Sequence, residues 1–273
     1  MKIINLMEDT QGSACCLYEH GLSFYIETAH HKMLVDTGAS PKTWSNAQKL
    51  GIHLTQIDTV ILSHGHYDHT GGLLSLVKMN PAIKIFMQKT AVYDYYNVSG
   101  EKERYIGVDK DILKLPNLVL PDSDYRIDKE ISVFSGVTER REWPKGNLSL
   151  KRKIDDHYLQ DDFQHEQYVV IETENKLILI SGCAHNGILN ILDRFKELYS
   201  KEPDMVISGF HMMQKNAYTS DDVKLIQNVA NELKQYRTKF YTGHCTGLEA
   251  FSIMKDIMGT QLEYVHCCDE LHP

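Results

Sequence analysis

The stretch Val60-Ile61-Leu62-Ser63-His64-Gly65-His66-Tyr67-Asp68-His69-Thr70-Gly71-Gly72 constrains the fold of this chain more than any other. A short apolar run ends in three histidines and one aspartate, and a glycine pair then opens the next helical pattern. Imidazole nitrogens and carboxylates are the donors that zinc and its transition-series neighbours accept. His64 and His66 alternate at i, i+2, so an extended or looped backbone can point both the same way. Asp68 and His69 are adjacent and must diverge, which suits delivery of ligands to two different ions. Four ligand-type side chains in six residues behind a buried strand form a metal-site pattern, not that of a solvated loop.

The rest of the chain can hold a large core: it has 273 residues, 42% of them hydrophobic, enough for one domain over 1–273. The formal net charge of −8 argues against a nucleic-acid partner, since the basic clusters Arg140-Arg141 and Lys151-Arg152-Lys153 are short. No stretch is long and apolar enough to span a bilayer, and the opening residues turn acidic at Glu8-Asp9 before an apolar leader region develops. The cysteines Cys15, Cys16, Cys183, Cys245, Cys267 and Cys268 contain no C-x-x-C and suggest no disulfide framework. A cytoplasmic location is the expectation.

In chain order, Lys2–Met7, Leu22–Thr28 and Lys32–Asp36 read as strands, the last two turning at Ala29-His30-His31 with solvated histidines. Ser40 is placed to cap, and Pro41 to begin, a helix that ends at Gly51. Residues 58–63, 82–87, 167–173, 177–181, 205–208, 239–242 and 262–268 read as further strands. Helical periodicity marks 72–79, 188–199, a stretch from Thr219-Ser220-Asp221-Asp222 to Tyr236, and one ending at Met258. Residues 90–164 show a clear strand only at Ile131–Val137, too long a gap for a plain loop. They are expected to form an insertion or cap, as a lid or a dimer contact. Strand-rich segments alternating with amphipathic helices predict a four-layer αββα sandwich, an α/β (α+β) architecture.

Four apolar strands end in glycine-bearing turns that carry histidine: His64/His66/His69, His185, His211 and His244. Strand ends on one side of a layered α/β structure are where such folds build their sites, so these residues are expected to converge. Cys183 and Cys245 adjoin the set as thiolate ligands or as buried neutral thiols.

The His-x-His-x-Asp-His run with its following glycines resembles the signature of the metallo-β-lactamase superfamily. Gly182-Cys183-Ala184-His185, Gly209-Phe210-His211-Met212 and Gly243-His244-Cys245-Thr246-Gly247 are similar to one branch of it. That branch is known as the 7,8-dihydropterin-6-yl-methyl-4-(β-D-ribofuranosyl)aminobenzene-5′-phosphate synthases. The resemblance implies one divalent ion on His64, His66 and His185 and a second on Asp68, His69 and His244, zinc first and iron or manganese next. It implies a hydrogen-bonding role for Asp36 of Val35-Asp36-Thr37-Gly38 behind the metal loop. Where relatives often carry a bridging aspartate, this chain has Cys183. The implied activity is a metal-dependent hydrolase or transferase using a metal-activated water on a small anionic, phosphorylated or ester-bearing molecule. Asp68 and His211 would act in catalysis, with His211 and Thr246 meeting the substrate. The alternatives are a mono-iron oxidoreductase using oxygen or a persulfide, and a non-catalytic binding module. Di-iron electron-transfer relatives carry glutamate where His66 stands, which weighs against that version.

Overall fold

A computed structural model describes residues 1–12 and 16–273, so Cys15 lies outside the described residues. Its frame is a pair of seven-stranded sheets. The first runs Glu270–Leu271, Lys2–Met7, Ser23–Glu27, Lys32–Val35, Thr59–Leu62, Lys84–Met87 and Leu118–Val119. The second runs Leu262–Tyr264, Lys239–Thr242, Met205–Ser208, Leu177–Ser181, Tyr168–Glu172, Ile131–Phe134 and Tyr125–Arg126.

Side chains alternate across a strand, so each sheet must cover two faces. Ile3, Phe24, Ile26, Met33 and Ile61 of the first sheet meet Val133, Val169, Ile171, Ile178 and Ile207 of the second between the layers. The alternate residues Ile4, Leu34, Val60 and Leu62 pack outward with Trp44 of the Lys42–Lys49 helix and Leu73 and Leu76 of Leu73–Met79. Val170, Leu179, Val206 and Phe240 pack outward against the helices Ile188–Tyr199, Ser220–Leu233 and Leu248–Met258. Burial on both faces explains why Leu177-Ile178-Leu179-Ile180 shows no polar alternation. The layers are therefore helix, sheet, sheet, helix, as expected.

Both sheets contain parallel runs, Lys32–Val35/Thr59–Leu62/Lys84–Met87 in one and Leu177–Ser181/Met205–Ser208/Lys239–Thr242 in the other. Their carboxyl ends deliver Asp36, His64, His185, His211 and His244. Among the described residues, no helix is long and apolar enough to cross a membrane.

Several local expectations change. Residues 90–164 contribute the edge strands Leu118–Val119 and Tyr125–Arg126, besides Ile131–Phe134. They also form a separate four-stranded sheet, His157–Gln160, Leu150–Ile154, Asp94–Ser99 and Lys102–Tyr105. Its outer strands are largely exposed and lack the apolar alternation that would have revealed them. Pro41 stands at the N-cap rather than inside the helix, and the cap makes no side-chain hydrogen bond. The 262–268 strand stops at Tyr264. Cys16 and Cys268 form a disulfide, contrary to the sequence expectation, because Glu270–Leu271 returns to pair with Lys2–Met7 and carries Cys268 back. The partners are 252 residues apart, a pairing that spacing cannot reveal.

His31 is not merely solvated. Its Nδ1 lies 2.8 Å from Asp58, beside the first sheet, and its Nε2 contacts Asp128, in the turn before Ile131–Phe134 of the second. Burial opposes its charge, but Asp58 and Asp128 together hold its pKa above the ordinary 6.5. A raised folded-state pKa contributes stability that is full below 6.5 and is lost as pH rises through the folded value. Urea unfolding should therefore show His31→Ala less stable than wild type by about 1 kcal/mol in mild acid, with the gap closing at alkaline pH. A pH-independent gap would contradict the ion-pair account.

Candidate metal centre

Asp36 organises the site from beneath. It is fully buried and takes the left-handed backbone region at φ 62°. Oδ1 accepts the Ser63 backbone N–H at 2.7 Å. Oδ2 accepts the Ser63 hydroxyl at 2.7 Å and lies 2.7 Å from His69 Nδ1. With its proton given to Asp36, the Ser63 hydroxyl accepts from His64 Nδ1 at 2.9 Å. This network places protons on Nδ1 of both His64 and His69, leaving each Nε2 lone pair facing the site. Gly182 is required beside it, since an added Cβ would lie 2.1 Å from the Ser63 hydroxyl oxygen.

The other histidines repeat the arrangement. His185 Nδ1 is 2.8 Å from Asn147 Oδ1, and its ring stacks on Phe163 at 4.6 Å. His244 Nδ1 is 2.5 Å from Asp9 Oδ1, and its backbone N–H donates to Glu8 at 3.1 Å. In both, Nε2 is buried without a hydrogen-bond partner. His64 Nε2 and His66 Nδ1 face each other at 3.0 Å. Asp68 Oδ2 lies 3.4 Å from His244 Nε2, 3.6 Å from His69 Nε2 and 3.3 Å from His20 Nε2.

These donors form two adjoining groups. Asp68, His69, Cys183 and His244 place one donor atom each within 4.8 Å of one another, as do His64, Cys183 and His185. Imidazoles fixed at one nitrogen by a carboxylate, amide or hydroxyl, with a bare nitrogen facing inward, have the form of metal ligands with their outer hydrogen bonds made. The orphaned Nε2 atoms of His185 and His244 and the clustered donors therefore fit a divalent metal.

Electrostatics agree. Burial, helped by neighbouring imidazoles, holds His64 and His185 well below the ordinary histidine value and lowers His66 to about 3, so all three are neutral lone-pair donors. Burial pushes against the Asp68 carboxylate, but His69, His244 and His20 hold its pKa well below the usual range. Burial likewise opposes charge on His244, and Asp9 and Asp68 overrule it. Ligation at His244 thus displaces a proton.

His211 adopts φ 50°, its ring centroid is 4.1 Å from that of His185, and its Nδ1 is buried without a partner. It lines a cavity of about 110 Å³ together with Asp68, Asn97, Arg104 and His244. Thr246 requires correction as a substrate contact. It is fully buried, and its hydroxyl accepts from the Phe210 N–H at 2.8 Å and bonds Thr242 at 2.6 Å. It braces the turn that carries His211.

The sequence reading missed several contributors. Asp9 and His20 flank His244, with His20 Nδ1 2.8 Å from Asp9. His165 accepts the Gly65 N–H at 3.0 Å and bonds Asp161 at 3.1 Å. Glu166 accepts the His185 and Asn186 N–H groups at 2.6 and 2.9 Å. Of these, His165-Glu166 offered a signal, as polar residues directly before an apolar strand.

Residues 19–149 match the family described as the metallo-beta-lactamase superfamily. An uncharacterised protein of Methanocaldococcus jannaschii is 29% identical over 261 residues, covering 93% of this chain and 94% of its own. From the same organism, the protein named 7,8-dihydropterin-6-methyl-4-(beta-D-ribofuranosyl)-aminobenzene-5'-phosphate synthase is 28% identical over 285 residues, covering 97% and 94%. Among solved structures, Tm1679, described as a metal-dependent hydrolase of the beta-lactamase superfamily, superposes with a TM-score of 0.83 at 29% identity. It covers 100% of this chain and 99% of its own.

Proposed function

Because the chain belongs to the metallo-β-lactamase superfamily, we propose that it is a metal-dependent hydrolase or transferase acting on a small anionic substrate, phosphorylated or ester-bearing. The two adjoining groups of buried, inward-facing donors are the observation that carries this reading. His64, His66 and His185 would hold one divalent ion and Asp68, His69 and His244 a second, zinc being the first candidate by donor type and iron or manganese the next. Bound there, such ions supply Lewis acidity and a water of lowered pKa.

The chain's own residues do the remaining work. Asp36, Asn147 and Asp9 fix His69, His185 and His244, so these donors need not reorient when substrate enters. Asp68 stands at the cavity with its carboxylate ionised, suited to holding a metal ion. His211, at the rim, donates to an anionic oxygen or protonates a leaving group. Arg104 brings a guanidinium to the same cavity, 5.3 Å from the Tyr67 ring centroid, which supports an anionic substrate. Asn97, Arg104 and Leu150 come from the small third sheet, so the 90–164 segment would wall the site. The synthase name of the Methanocaldococcus relative supports a phosphorylated substrate.

The test is His211→Ala with metal content measured beside turnover. Metal should stay while turnover of a phosphoester falls by ~10²-fold or more. Loss of metal with the side chain would make His211 a ligand and overturn the division of roles. Comparing aerobic and anaerobic turnover of the metal-analysed protein separates this reading from a mono-iron oxidoreductase.

A further inference from the structure

We propose that Cys183 is a metal ligand shared by the two donor groups, a thiolate bridging the ions that the preceding reading places on either side of it. The inference rests on that reading and adds to it the identity of the bridging atom. Cys183 is the residue common to both groups: its sulfur lies within 4.8 Å of donor atoms of Asp68, His69 and His244, and equally of His64 and His185. Its Sγ is 3.2 Å from His69 Nε2. Two further nitrogens of the groups, Nε2 of His185 and of His244, are buried without a hydrogen-bond partner.

The local backbone is built to hold the sulfur there. Gly182 lets the turn press against Ser63, and Ala184 next to Cys183 takes φ 54°, unusual for a residue with a Cβ. Such a conformation persists only where its surroundings fix it, and Ala184 is fully buried with its carbonyl bonded to the Gly187 N–H at 2.8 Å. Cys183 and His185 are thereby aimed into the same space from one turn.

Chemistry favours the assignment. A thiolate is a strong ligand for zinc and other soft or borderline ions. Ligation removes the S–H proton to solvent, leaving one negative charge between two cations. Sulfur in this position should shift metal preference away from magnesium, calcium and manganese. Cys245 is the rival sulfur. It groups only with Cys183 and His211, and it is occupied, accepting the His211 N–H at 3.3 Å and donating to the Cys183 carbonyl at 3.5 Å.

The test uses the full chain loaded with cobalt(II) alone, as wild type and as Cys183→Ser, Cys183→Asp and Cys245→Ser. Bound-metal stoichiometry and the near-ultraviolet thiolate-to-cobalt charge-transfer absorption are read together, with circular dichroism to check folding. Wild type and Cys245→Ser should bind two equivalents and show the absorption. Cys183→Ser should lose it and bind the weaker equivalent ~10³-fold or more less tightly, beyond the ~10–100-fold that the loss of an outer hydrogen-bond partner costs. Cys183→Asp should restore two equivalents without the absorption, which keeps the test decisive if the serine variant misfolds. Two equivalents in wild type with no charge transfer, or an absorption that follows Cys245, overturns the thiolate bridge and leaves the metal reading intact. Failure of wild type to bind cobalt at all overturns the metal reading itself.

Discussion

Replacing His66 with alanine should strip metal from the protein and abolish turnover together. Its Nδ1 faces His64 Nε2 at 3.0 Å, so its loss removes one of the three imidazoles proposed to hold one ion. Outer-shell partners alone change metal affinity or activity by ~10–100-fold, and a direct ligand should exceed that. The loop should survive. The Gly65 N–H donates to His165 and the Tyr67 N–H to Ile106, at 3.0 and 2.8 Å, and neither bond involves the His66 ring. Metal analysis and turnover on the same preparation, with a thermal unfolding midpoint as control, give the answer. Full metal content in a folded His66→Ala protein would sink the assignment.

The largest stability effect should come from Asp36. Asp36→Ala leaves the Ser63 N–H, the Ser63 hydroxyl and His69 Nδ1 buried without their acceptor. Each orphaned group costs ~1–3 kcal/mol, and the costs overlap because the groups can partly re-pair. Removing one member of a buried charged or hydrogen-bonded set typically costs about 3–5 kcal/mol, which is the expected loss here. Urea unfolding in the presence of chelator isolates this effect, and metal titration should separately show affinity lowered ~10–100-fold. A loss below ~1 kcal/mol would mean that Asp36 is replaceable by rearrangement or water.

What could be seen in the sequence divides by distance along the chain. His64, His66, Asp68 and His69 were visible because one short loop holds them, and His185, His211 and His244 because each ends an apolar strand. The residues that orient them were not. Asp9 reaches His244 across 235 positions and Asn147 reaches His185 across 38, and no local pattern around either points to its partner. The two main sheets announced themselves through strands buried on both faces, such as Thr59–Leu62 and Leu177–Ser181. The third sheet did not: Lys102–Tyr105 is exposed throughout, and its pairing with Asp94–Ser99 leaves little apolar pattern to read. Thr246 misled for a related reason. A threonine at a helix start looks like an anion contact until the packing turns its hydroxyl toward Phe210 and Thr242.

The pairing of Lys2–Met7 with Glu270–Leu271 has a kinetic side. Glu8 and Asp9, which hold His244 in place, stand at the end of that first strand, and Asn5 bonds Val265 across 260 positions. Contacts of such separation demand nearly full loop closure before they reward it, so they form late. During synthesis the Val60–Gly72 loop can take shape against its own half-sheet long before residue 244 has been added to the chain. Each donor group is thus begun by early, local folding and completed only once distant parts of the chain have met. A nascent protein would pass through a stage that offers imidazoles to metal from one side alone.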